Sequence, residues 1–162
     1  MAEEKETQPQ LPPTQAIARL GEKSPEGWFE YPVRAYPHHT DYAGIVWHGT
    51  YLTWMEEARV ESLRAIGVNF ADLVALGCDL PVVELALRYH KPMKLGTQAL
   101  VRTRMLEMDG VRLNWEYQIQ SLDGQDLYLT GVVTLVTVDM EKGKIMRQLP
   151  ESVKDALVKL SR

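Results

Sequence analysis

The sequence predicts an α+β domain in which one long helix packs on an antiparallel sheet, and three observations predict it. From Tyr51 to Ile66 the apolar residues Tyr51, Leu52, Trp54, Met55, Ala58, Leu63 and Ile66 fall on one broad helical arc. From Leu80 onward the apolar period drops to two. Val111, Leu113, Trp115, Tyr117 and Ile119 alternate with Arg112, Asn114, Glu116, Gln118 and Gln120. Three turn pairs, Asp109-Gly110, Asp123-Gly124 and Lys142-Gly143, punctuate this second half. An Asp-Gly pair between alternating runs marks a hairpin.

Residues 1–26 read as an arm, because Pro9, Pro12 and Pro13 break regular structure, with one or two helical turns at Thr14 to Leu20. The domain proper is 27–162. Its first strand is expected over Trp28 to Tyr36, at a sheet edge or with an irregular start, since Pro32 has no N–H for a ladder bond. A polar loop runs from Pro37 to about Gly44, and the long helix follows. Arg59 and Ser62 intrude on its apolar side and need partners if buried. Either Glu56 or Glu57 is expected to pair with an arginine. Gly67 stops the helix, and Phe70 to Leu76 forms a shorter one. Strands are expected over Leu80–Tyr89, Gln98–Met108, Val111–Gln120 and Leu127–Val138, joined as a meander. A short amphipathic helix, Glu151 to Leu160, follows Pro150. One helix covers one face of such a sheet, so an open face or edge is expected to meet a second subunit.

Composition narrows the function classes. The formal charge is −4 and no Lys/Arg cluster stands out, which argues against nucleic-acid binding. The single cysteine, Cys78, excludes an internal disulfide and a cysteine-based zinc site, and reads as a packed residue. The acidic start Met-Ala-Glu-Glu-Lys-Glu lacks the apolar core of a signal peptide, and no apolar run is long enough for a membrane span. A cytoplasmic location is the expectation. His38, His39, His48 and His90 lack metal-ligand spacing, so no metal site is expected, and no Gly-x-Ser-x-Gly elbow occurs.

The chemistry concentrates in His39 to Tyr51. Asp41 stands a few residues before the long helix, Gly44 permits a backbone conformation other residues avoid, and the helix start presents free N–H groups at a positive dipole end. A carboxylate opposed to such amides suits acyl-group hydrolysis, attacking directly or activating water. Spacing alone leaves a second reading open, in which Asp41 is a helix cap and Gly44 a turn residue.

Val33-Arg34-Ala35-Tyr36, then Thr40-Asp41-Tyr42-Ala43-Gly44-Ile45-Val46-Trp47-His48 and Tyr51, resembles the signature of the 4-hydroxybenzoyl-CoA thioesterase family, a branch of the hotdog-fold acyl-CoA thioesterases. Within it the sequence is most similar to the bacterial Tol–Pal-associated acyl-CoA hydrolases, from about Trp28 to Leu160. The resemblance implies a hotdog fold, a curved antiparallel sheet wrapped around one long helix. It implies homodimers or homotetramers with shared active sites, an acyl-CoA substrate, and no metal or redox cofactor. Carried over, Asp41 is the catalytic carboxylate and the backbone N–H of His48 polarises the thioester carbonyl, with the His48 side chain assisting. Gly44, Val46, Trp47 and Tyr51 around the motif are candidate substrate-binding residues. Gly110, Val111, Arg112 and Arg147 fall where the family meets coenzyme A, with Lys144 a looser match. His38, His39 and Pro37 depart from the family pattern, which carries acidic residues and a tyrosine there, and this bears on acyl preference.

Trp47, Trp54, Tyr36 and Tyr51 either line an aromatic-acyl pocket or belong to the core; short and medium aliphatic acyl groups stay open, as does an acyl-carrier-protein substrate. Glu56 is a rival carboxylate, since another hotdog branch uses a helical glutamate. Two other classes are weighed. A hotdog dehydratase needs a histidine motif not visible here. A non-catalytic acyl-CoA-binding module would have lost the carboxylate that Asp41 retains.

Overall fold

Each alternating segment of the second half needs one covered face, and the strands obtain it by pairing side by side over a helix. A computed structural model describes Ser24 and residues 26–160. The expected arm, with its turns at Thr14 to Leu20, lies outside the described residues apart from Ser24 and Glu26. The elements are β1 (Phe29–Arg34), a single 3-10 turn (Pro37–His39), α1 (Thr50–Ala65), α2 (Phe70–Ala75), β2 (Cys78–Asp79), β3 (Val82–Tyr89), β4 (Gln98–Met105), β5 (Arg112–Ser121), β6 (Leu127–Val136), β7 (Val138–Asp139), β8 (Lys144–Ile145) and α3 (Glu151–Leu160). Among the described residues no helix is long and apolar enough to cross a membrane.

The main sheet has the order β1-β4-β5-β6-β3, with every pair antiparallel. Pro32 does lie on an edge strand, since β1 pairs only with β4. The expected meander holds for β4, β5 and β6 and fails for β3, which sits beyond β6 at the far edge. The segment between β3 and β4 is no hairpin. It is tied to the loop before α1, through Val46 N–H to the Met93 carbonyl (2.8 Å) and Leu95 N–H to the Gly44 carbonyl (2.9 Å). The expected strand Leu127–Val138 also breaks, at Thr137. Val138 and Asp139 leave the main sheet to pair with β2 and β8 in a small second one.

The core lies between α1 and one face of the sheet. Leu113, Trp115, Tyr117 and Ile119 of β5 are buried on that face, and α1 sets Tyr51, Trp54, Met55, Ala58 and Leu63 against it. Cys78 is buried there too, its Sγ 3.7 Å from the Met146 Sδ. The polar intruders on α1 find partners. Arg59 Nη1 donates to the Tyr117 hydroxyl (2.9 Å), and Ser62 Oγ donates to the Arg59 carbonyl (2.7 Å). The expected glutamate–arginine pair is corrected. Glu57 accepts from the Tyr31 hydroxyl instead (2.9 Å), and Arg64 pairs with Glu61 (3.4 Å).

Coverage ends abruptly at β3. Leu85 pairs with Val133 and so points to the core side, yet Leu85 is 42% exposed where Val133 is 3%. Val82 and Tyr89 are similarly open. β3 therefore presents apolar side chains and one unpaired backbone edge together.

Candidate active site

The loop from Thr40 to Trp47 is a miniature hairpin, and Asp41 organises it. Thr40 bridges Val46, and Asp41 N–H donates to the Ile45 carbonyl (2.8 Å). Gly44 N–H donates back to the Asp41 carbonyl (3.0 Å), with Gly44 at φ +75°, a conformation that favours glycine. The Asp41 Oδ1 accepts from the amides of Ala43 (2.9 Å) and Ile45 (3.2 Å). Its Oδ2 has no hydrogen-bond partner among the described residues, and the side chain is exposed. Asp41 is therefore not the cap of α1. The N-cap is Gly49, without a side-chain cap bond.

This hairpin is locked to the helix start by His39. The His39 carbonyl accepts from Trp47 N–H (3.0 Å) and from the Thr50 hydroxyl (2.8 Å). The His39 ring is more than an exposed loop group. Its Nδ1 accepts from Tyr36 N–H (3.0 Å), and the ring stands edge-on to Trp54 at 5.1 Å. Burial, then the neighbouring His38, holds its pKa below the ordinary histidine value, which favours the neutral ring that an accepting Nδ1 requires. His38 is exposed.

The helix then opens with a tight turn. Thr50 N–H donates to the Trp47 carbonyl (2.9 Å), and Leu52 N–H donates to the Gly49 carbonyl (3.2 Å). The amides of His48 and Gly49 inside this turn have no acceptor among the described residues. Two free donors at the positive end of a 16-residue helix can hold a developing oxyanion. The His48 side chain is exposed, its ring 4.8 Å from that of Trp47. Tyr51 is buried in the core cluster, and burial first, then Tyr89, pushes its hydroxyl up to about 12. Trp54 is likewise core, Val46 is buried, and Trp47 and Tyr36 are about half exposed.

Two residues here escape sequence reasoning. The Tyr89 hydroxyl donates to the His48 carbonyl (2.7 Å) from a strand 41 positions later, and no local pattern announces that. Gly49 lies under the Trp47 ring, where a Cβ would collide with the six-membered part of the indole. Its φ of −82° and ψ of −20° suit alanine, so only the indole stands in the way. Gly49→Ala is thus expected to cost about 1 kcal/mol of stability and to lower turnover several-fold as the indole is displaced. In a Trp47→Ala background the same substitution should cost nothing further. Urea melts of the four proteins check this, and equal costs in both backgrounds would refute the steric account.

The residues matched to coenzyme A do not join this site within one chain. Gly110 (φ +60°) and Val111 form a two-residue turn closed by Asp109 and Arg112, and Arg112 approaches Glu84 at 3.9 Å. Register places them at the far end of the sheet. Tyr89 lies level with Leu129 and Ile119, whereas Arg112 is level with Val136. Seven residues of strand put roughly 24 Å between those levels. Arg147 and Lys144 are exposed at and beyond β8. A separate open groove of 540 Å³, lined by Tyr31, Tyr36, His39, Trp54 and Glu57 among others, includes neither Asp41 nor His48. Among the described residues no group of three or more His, Cys, Asp or Glu is placed to hold a metal ion.

Known proteins place this architecture. The sequence pattern of the thioesterase-like superfamily matches residues 36–157. The Synechocystis protein sll0410 is 54% identical over 162 residues, 94% of this chain and 95% of its own. The acyl-CoA thioester hydrolase YbgC of Escherichia coli is 31% identical over 77% of this chain and 92% of its own. The structure of the DHNA-CoA thioesterase from Staphylococcus aureus superposes with a TM-score of 0.75 at 26% identity, covering 82% of this chain and 89% of that one. The antiparallel sheet with few helices agrees with those structures, and the pattern spans most of the sequence: the chain belongs to the thioesterase-like superfamily, with the hotdog fold, and is a thioester hydrolase.

Proposed function

We propose that this protein hydrolyses the thioester of an acyl-CoA in the manner of the 4-hydroxybenzoyl-CoA branch, with Asp41 as the catalytic carboxylate. The observation that carries the proposal is the division of labour within Asp41. Oδ1 is spent on the amides of Ala43 and Ile45, and Oδ2 is left free in a hairpin that runs directly into a turn whose own amides are unused. The amides of His48 and Gly49 take the oxyanion as the carbonyl becomes tetrahedral. In one form of the reaction Oδ2 attacks the carbonyl carbon, the C–S bond breaks, and water hydrolyses the resulting anhydride. In the other, Oδ2 takes a proton from the water that attacks. The thiolate leaves unaided in both, and neither form calls for a metal or redox cofactor. Label in Asp41 after a single turnover in oxygen-18 water marks the nucleophilic route, because only an anhydride opened at the Asp41 carbon takes it up, and trapping of the acyl-enzyme covers opening at the acyl carbon.

The acyl group is aromatic or of short to medium chain. Trp47 and Tyr36, half exposed on either side of Asp41 in sequence, support the aromatic option. The further reading is a homodimer, itself able to pair into a tetramer, in which β3 meets β3 of a second copy and the sheet continues around α1 of both. Exposed core-side residues on β3 support it. So does the register. A two-fold axis through the middle of β3 sets the Arg112 end of one copy level with the Tyr89 end of the other, removing the roughly 24 Å offset along the strands. Gly110, Val111, Arg112 and Arg147 would then serve the partner's Asp41.

The test is release of free thiol from benzoyl-CoA and hexanoyl-CoA. Turnover of at least one is expected, and binding without turnover of any CoA thioester would sink the catalytic reading in favour of a binding module.

A further inference from the structure

The His48 carbonyl lies one residue before the N-cap Gly49, at the threshold of the helix. In an unbroken α-helix it would accept from Leu52 N–H, four residues on. Here Leu52 N–H goes to Gly49 instead (3.2 Å), so the His48 carbonyl is left outside the ladder. The Tyr89 hydroxyl takes it at 2.7 Å. Tyr89 is itself held, its backbone level with Leu129 in the sheet and its ring 5.6 Å from that of Tyr51 at 62°.

A trans peptide is planar, with its C=O and N–H pointing in opposite directions. Fixing the His48 oxygen on one side therefore aims the Gly49 N–H to the other. The same bond polarises the peptide, and a carbonyl that accepts a hydrogen bond leaves its own N–H a stronger donor. We infer that Tyr89 is a positioning residue for the oxyanion site: from behind, its hydroxyl holds the His48–Gly49 peptide so that the Gly49 N–H meets the thioester carbonyl oxygen in front. This rests on the thioester-hydrolase reading of the same turn.

Tyr89→Phe keeps the ring and removes only the donor. In the full-length protein, with the CoA thioester that the wild type turns over, kcat should fall about tenfold while KM changes by less than about twofold. The melting temperature should hold, and the Gly49 amide resonance should move upfield as its hydrogen-bonded peptide relaxes. An unchanged kcat overturns the inference, as does a loss carried entirely by KM or by unfolding. Should the wild type turn over no CoA thioester, the hydrolytic reading falls by itself. The Gly49 resonance then decides the positioning claim, a shift in Tyr89→Phe supporting it and an unmoved resonance overturning it.

Discussion

Asp41→Asn is expected to lower kcat about 10³-fold with the fold intact. The asparagine oxygen can still accept from the Ala43 and Ile45 amides, which now bond to Oδ1. The amide nitrogen replaces Oδ2, and it can neither attack a carbonyl nor take a proton from water. Asp41→Ala removes both functions. It should abolish turnover to the same degree and additionally loosen the hairpin, by about 1 kcal/mol, since the freed amides lie where water can reach them. The two variants together separate chemistry from architecture. Equal loss of kcat with unequal melting temperatures is the expected pattern. An asparagine variant that keeps more than about a tenth of wild-type turnover would show that the loop, rather than the carboxylate, carries the rate.

What the sequence revealed and what it hid follow from range. The helix Thr50–Ala65 is legible because its apolar arc repeats over 16 residues. The strand Arg112–Ser121 is legible because burial alternates along its whole length. The turns were announced by Gly110, Gly124 and Gly143, all of which take positive φ. Pairing between distant strands carries no such local mark. Nothing around Val82–Tyr89 says that it lies beyond β6, a placement that depends on the Met93–Leu95 segment folding onto Gly44–Val46. The candidate site divides the same way. Asp41 and Gly44 are visible as a motif, whereas Tyr89 reaches His48 only once that crossover is in place. The small strands β2, β7 and β8 have two residues each, too few for a period to show.

The same long-range geometry yields the last prediction. Leu85→Lys places an ammonium on the core side of β3, at a position 42% exposed in the single chain. Water reaches it there, so the isolated fold should survive. In a two-fold interface each substitution occurs twice, and burying two unpaired charges should weaken association by about 10³-fold or more. Size-exclusion chromatography is expected to show monomers, and turnover should disappear with the dimer. A complementary experiment uses the wild-type interface. Mixing Asp41→Asn protein with Arg112→Ala protein under subunit exchange should restore activity, because a mixed dimer gathers both defects in one site and leaves the other whole. If Arg112 instead served the Asp41 of its own chain, every site in the mixture would carry one defect and mixing would restore nothing. That outcome, or an active Leu85→Lys monomer, would rule out a shared site. Recovery toward half the wild-type activity per mixed dimer would place coenzyme A across the junction of two β3 strands.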